Sequence, residues 1–164
     1  MQVASFIAQY LLQRKMTQVF AVTGGGAMFL NNSFSSFPQI QPIYGHHEQA
    51  CAMAAEGYAR IANQIGITVV TTGPGGINAL NGVFGAWTDS IPMLVISGQV
   101  KRETCLSSYD LPDLRQLGDQ EVDIVAMAKP ITKYAVQVQD PLQIRYHLEK
   151  AIYLATHDRP GPCW

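Results

Sequence analysis

Glu48 is the residue whose type and position offer the most chemistry in this chain. It lies in Tyr44-Gly45-His46-His47-Glu48-Gln49, directly after the apolar run Ile40–Tyr44, which reads as a short buried strand. Beyond it the period changes. Ala50, Met53, Ala54, Gly57 and Ile61 recur at the spacing of one helix face, and Glu56 and Arg60 stand four apart on another. Glu48 therefore falls in the first turn of a helix starting near His47, at the carboxyl end of a strand, where open α/β sheets form ligand crevices. A carboxylate there can be an exposed acid favoured by the helix dipole and nothing more. It can also face a ligand in that crevice.

Two glycine-rich turns are the other candidates. Gly24-Gly25-Gly26 follows the strand-like Val19–Val22 and opens a helix read as Met28–Phe37, closed by Pro38. A dinucleotide-binding turn would need its third glycine where Phe29 stands, so the fingerprint for nicotinamide or flavin fails. Gly73-Pro74-Gly75-Gly76 follows the β-rich Ile67–Thr72, but Ile77-Asn78-Ala79 occupies the place of the Lys-Ser or Lys-Thr of a triphosphate loop. Glycines without a cation suit the close approach of backbone to a flat ring. Asn78, at the end of this turn, can be the capping side chain of a helix read as Ala79–Thr88.

Composition sets limits on function. At 164 residues the chain is read as one domain with a single core. A net charge of −1 without a basic cluster leaves no footprint for nucleic acid or an anionic membrane. No apolar run approaches the roughly 18 residues that span a bilayer. Charged residues make up 14%, against roughly 25% in an average globular chain, so part of the surface is expected to face partners. Cys51, Cys105 and Cys163 are far apart and share no ligand spacing with His46, His47, His147 or His157. No metal is expected on these residues, and a reducing, cytoplasmic setting fits.

The remaining elements follow from periodicity. Val3, Phe6, Ile7, Tyr10 and Leu11 predict an amphipathic helix over 2–15 rather than a signal peptide. Met93–Ser97 reads as a strand. Val100–Gly118 has no period and is expected to be the least ordered internal segment. Asp119 reads as the cap of a helix through Ala128, Ile131–Val138 alternates, and Asp140-Pro141 opens a helix carrying Ile144, Leu148, Ala151, Ile152 and Ala155. A last strand is expected after Arg159. Strands alternating with helices predict an α/β fold, a doubly wound and mostly parallel sheet of about six strands with helices on both faces, in three layers.

Four motifs in order carry a resemblance over nearly the whole chain. They are Gly45-His46-His47-Glu48-Gln49 with Ala54-Ala55-Glu56-Gly57-Tyr58-Ala59-Arg60, then Thr72-Gly73-Pro74-Gly75-Gly76-Ile77-Asn78. Asp89-Ser90-Ile91-Pro92 with Ser97-Gly98-Gln99-Val100, and Arg159-Pro160-Gly161-Pro162, complete the set. Together they resemble the N-terminal, pyrimidine-binding domain of thiamine-diphosphate enzymes, the acetolactate synthases and their relatives. The resemblance implies that Glu48 is the glutamate that hydrogen-bonds N1′ of the cofactor's aminopyrimidine and so helps remove the C2 proton. Burial would then have to oppose the helix dipole. It places Gly25, Gly26, Pro74 and Asn78 near that ring and Gln120 of Gln120-Glu121 on the substrate side. It further implies a lyase or carboligase acting on pyruvate or a related 2-oxo acid, in a homo-oligomer (dimer or tetramer). The Mg²⁺ and diphosphate belong to a C-terminal Gly-Asp-Gly domain absent here, and FAD, where kept, to a middle domain.

Two departures from the family stand out. His46 replaces a common arginine, and the connection from Gly98-Gln99-Val100 to Gln120-Glu121 is about nine residues longer. The alternative reading is a non-catalytic, stand-alone domain that pairs with or regulates a separate diphosphate-binding subunit. Continuation of the gene into Gly-Asp-Gly would separate the two. Two small-residue faces, Ala50/Ala54/Gly57 and Ala79/Gly82/Val83/Ala86, are expected to mediate self-association.

Overall fold

In a computed structural model covering residues 1–164, short apolar runs form five parallel strands. They are β1 (Gln18–Ala21), β2 (Gln41–Tyr44), β3 (Gly66–Val70), β4 (Met93–Ser97) and β5 (Pro162–Cys163). Their order across the sheet is β2-β1-β3-β4-β5. A parallel strand in mid-sheet is covered on both faces, and every residue of β3 is accordingly buried. The pleat sends Ile67, Val69 and Leu94 into one core and Val70, Met93 and Val95 into the other.

Helices α1 (Val3–Gln13), α2 (Met28–Ser35) and α6 (Ile144–Thr156) close the first core through Ile7, Leu11, Phe34, Leu148 and Ala155. The second is closed by α3 (Glu48–Ala62), α4 (Pro74–Thr88) and α5 (Ile124–Ala128) through Ala52, Ala55, Ala79, Val83, Ala86 and Ile124. This is the three-layer, doubly wound α/β arrangement expected. The segment 131–138 adds a sixth ribbon without becoming a named strand. It pairs with β5 through Lys133 N–H to Pro162 O at 2.8 Å, Trp164 N–H to Tyr134 O at 2.7 Å and Val136 N–H to Trp164 O at 3.0 Å.

Three expectations are corrected in detail. First, α4 begins at Pro74, five residues ahead of the expected Ala79, because proline fits the first turn, where its missing N–H removes nothing. Asn78 is therefore inside the helix and is not its cap. Second, α5 is capped by Asp123, whose carboxylate accepts from Ala126 N–H at 2.9 Å, and not by Asp119. Gln120 interrupts any helix there by adopting φ +59°. Third, Ala79, Gly82, Val83 and Ala86 are buried against α3 of the same chain and are not a free face.

The α3–α4 pair is held at close range. A Cβ on Gly82 would sit 2.6 Å from Ala52 Cβ and 2.9 Å from Met53 N. The inward face of α3 is Cys51, Ala52, Ala55 and Ala59, while Ala50, Met53, Ala54 and Ile61 face solvent. At Gly85, in the same helix, an added Cβ meets nothing closer than Glu56 Oε1 at 3.9 Å. Gly82→Ala should therefore destabilise the fold by about 1–3 kcal/mol through overpacking. Gly85→Ala should be neutral or stabilise by up to about 1 kcal/mol through helix propensity. Urea denaturation of the two variants measures the contrast, and equal effects would refute the packing argument.

Candidate functional site

The sheet order leaves a switch point between β1 and β3, where successive connections leave in opposite directions and a crevice opens at the carboxyl ends. Gly24–Gly26 follows β1, Gly73–Gly76 follows β3, and Glu48 follows β2 beside them. His47 caps α3 by accepting from Gln49 N–H through Nδ1 at 3.2 Å, which fixes the first turn and turns Glu48 inward. His46 and His47 are themselves exposed.

Glu48 is only 9% exposed. Its Oε2 accepts a hydrogen bond from Asn78 Nδ2 at 3.0 Å, so the early start of α4 is what brings the two side chains together. Its Oε1 accepts no hydrogen bond from the chain and lies 3.3 Å from where a Cβ on Gly75 would stand. Glycine at 75 thus keeps the space beside the free oxygen open. The same imagined Cβ would meet Thr71 Cγ2 at 2.7 Å, and Thr71 Oγ1 accepts from Gly26 N–H at 3.1 Å. Gly26, Thr71, Gly75, Glu48 and Asn78 therefore form one continuous set of contacts. Pro74 is exposed at its edge, and Gly25 projects into open space. Below Glu48, Cys51 donates to Ala21 O at 3.3 Å. Burial pushes the Cys51 thiol up, against a lowering hydrogen bond at Gly45 and with the added charge of Glu48, so it stays neutral.

Gln120 reaches the site through its backbone. Gly73 has φ +54°, and a Cβ there would stand 2.0 Å from Gln120 O. The neighbours of Gln120 are pinned by Glu121 and Gln99, motif residues to which the sequence reading gave no role. Glu121 accepts from Leu106 N–H at 2.7 Å, Gly118 N–H at 3.0 Å and Cys105 Sγ at 3.1 Å. Gln99 Nε2 donates to Val122 O at 3.3 Å, and Gln99 Oε1 accepts from Thr72 Oγ1 at 2.5 Å and Val100 N–H at 2.9 Å. The segment expected to be least ordered thus holds two short 3₁₀ turns, Arg102–Thr104 and Leu106–Ser108, tied at both ends to one carboxylate. A half-open cavity of about 620 Å³ adjoins this region, lined among others by Phe29, Gly98, Arg102, Val136, His147 and Trp164, but not by Glu48 or Asn78. No three His, Cys, Asp or Glu side chains converge as metal ligands would.

A parallel sheet with a buried, half-satisfied carboxylate beside a glycine turn at its switch point defines an α/β domain with a candidate ligand crevice. The comparisons specify it further. Residues 1–127 match the family model described as the thiamine pyrophosphate enzyme, N-terminal TPP binding domain. The chain belongs to that family. It is 35% identical over 159 residues to the acetolactate synthase isozyme 3 large subunit of Escherichia coli K12, covering 97% of this chain and 26% of the relative. The acetolactate synthase large subunit of Lactococcus lactis gives the same identity and coverage. The chloroplastic acetolactate synthase of Arabidopsis thaliana is 35% identical over 162 residues, covering 97% of this chain and 22% of the relative. The chain thus spans about a quarter of the length of the curated relatives it matches.

One pH effect follows from the Glu121 anchor. Burial alone would raise this carboxyl, but the hydrogen bonds from Gly118, Cys105, Leu106 and Leu117 outweigh it and hold the group below its ordinary 4.5. A carboxyl lowered in the folded state contributes stability above its unfolded value and loses it as pH falls through the folded one. The amide NMR shifts of Leu106 and Gly118 should therefore titrate together, with an inflection below 4.5. Separate inflections, or one at or above the ordinary value, would contradict the anchor.

Proposed function

We propose that this chain is the pyrimidine-binding part of an acetolactate synthase-like lyase or carboligase acting on pyruvate or a related 2-oxo acid. The observation that carries the reading is Glu48: a carboxylate at a strand end, 9% exposed, with one oxygen held by Asn78 and the other left open beside Gly75. These residues fit an aminopyrimidine. Glu48 Oε1 holds a proton at the ring's N1′, Asn78 keeps the carboxyl in place while that proton moves, and Gly75 and Gly26 leave room for a flat ring against backbone. Thiamine diphosphate supplies a nucleophilic carbon and an electron sink when bound. Gln120 stands on the substrate side. Mg²⁺, the diphosphate and any FAD fall to further domains of a longer chain, a reading supported by the length of the relatives.

The active unit is a homo-oligomer. With the α4 stripe turned inward, the surface available for it is the outer side of the α3–α4 pair, where Met53 is 43% exposed, Ile77 42% and Phe84 56%. Large apolar side chains exposed on one helix pair favour burial against a partner. Sedimentation at micromolar concentration should give a dimer, and Ala54→Glu, which places a charge among them, should shift it toward monomer. A monomeric wild-type chain would remove this part of the reading.

The proton role has its own test. In the complete protein, Glu48→Gln should keep the fold and slow hydrogen–deuterium exchange at C2 of the bound cofactor by about two orders of magnitude or more, as for a lost proton relay. Exchange at the wild-type rate would reject Glu48 as the activating group.

A further inference from the structure

We propose that Glu121 is a positioning residue that fixes Gln120 over the Gly73 turn and so governs binding of the 2-oxo acid; this rests on the reading above. Gln120 carries a Cβ yet adopts φ +59°. Such a conformation persists only where the surroundings impose it, and strain of this kind collects at binding and catalytic sites. Here the imposing groups can be named. On one side, the Glu121 carboxylate gathers Leu106 N–H, Gly118 N–H and the Cys105 thiol, so it closes the loop 105–118 at its base. On the other side, Gln99 Nε2 holds Val122 O, and Gln99 is itself fixed to Thr72 at the end of β3. Between these two pins the Gln120 carbonyl lies against Gly73, the residue that starts the turn into Pro74 and Gly75.

Three consequences are chemical. The carboxylate is suited to this task because it accepts several amides at once, whereas a carboxamide would turn one N–H₂ toward a donor. Cys105 is 3% exposed and its thiol is a hydrogen-bond donor to Glu121, which leaves it a structural part of the anchor. The loop it closes lies in the stretch read from the sequence as longer than the family pattern, and the anchor joins its two ends beside Gln120.

The test is a double-mutant cycle in the complete protein with Glu121→Gln, Gln120→Ala and both. Glu121→Gln should raise KM for the 2-oxo acid about tenfold with kcat changed less than about threefold, and should add nothing further in the Gln120→Ala background. An unchanged KM, a loss confined to kcat, or effects of the two changes that multiply would overturn the proposal. Gln99→Met, which removes the opposite pin, should give the same KM-specific signature, and it keeps the test open if Glu121→Gln does not fold. The anchor is read independently of turnover: the amides of Leu106 and Gly118 should be protected in the wild type and lose protection together in Glu121→Gln. If those amides behave as stated but no 2-oxo acid is turned over by the wild type, the functional reading fails and this proposal with it. If turnover is normal and the amides are unprotected, the positioning claim alone fails.

Discussion

A carboxylate leaves water only where hydrogen bonds replace its hydration. The placement of Glu48 imposes that requirement on the rest of this domain. One share of the compensation comes from the amino end of α3, entered through the His47 cap. The other comes from Asn78, which can donate only because α4 starts at Pro74 and carries residue 78 to the correct side. That start depends on the left-handed turn at Gly73, and the turn in turn leaves room for Gln120 O. Each of these local choices makes sense only in the presence of the next.

The topology explains why these pieces meet at all. With β1 at the switch point, the turns after β1 and β3 diverge from a common line, and the turn after β2 lies next to them. Gly98 shows how tightly the ends are drawn together: a Cβ there would stand 2.0 Å from Gly26 O. Side chains are excluded from this seam, so the backbones of two turns supply the wall that a ring can approach.

Much of this was legible in the sequence, for identifiable reasons. The run Ile67–Thr72 is short and β-branched, and the fully buried parallel strand β3 has no other way to look. Ile40–Tyr44 was read as buried too, but β2 lies at the edge of the sheet, where Gln41, Ile43 and Tyr44 are exposed. Glu48 stood out because a change of period located it at a strand–helix junction. Of the two small-residue faces expected to be free, that of α3 does present Ala50 and Ala54 to solvent, whereas the α4 stripe packs inward; the inward side of α3, Cys51, Ala52, Ala55 and Ala59, is equally small. Periodicity cannot rank two alanine-rich faces of one helix. The cap at Asp119 failed differently: Glu121 ties this region to Leu106, a partner distant in sequence that no local pattern contains. Thr71 had no signal beyond its nearness to a glycine motif, and Gln99 and Glu121 were visible only as motif members without a role.

The Gly82–Ala52 contact has a mechanical meaning for the carboxylate. Two helices pressed together at mid-length, backbone against methyl group, cannot slide past one another by the fraction of an ångström that looser side-chain packing allows. Glu48 and Asn78 sit toward the same end of that pair, one on each helix. The clamp near their middles therefore acts as a bracket, and the donor–acceptor separation at the open end inherits its stiffness. A contact remote from the crevice thus sets the tolerance to which the carboxyl is held.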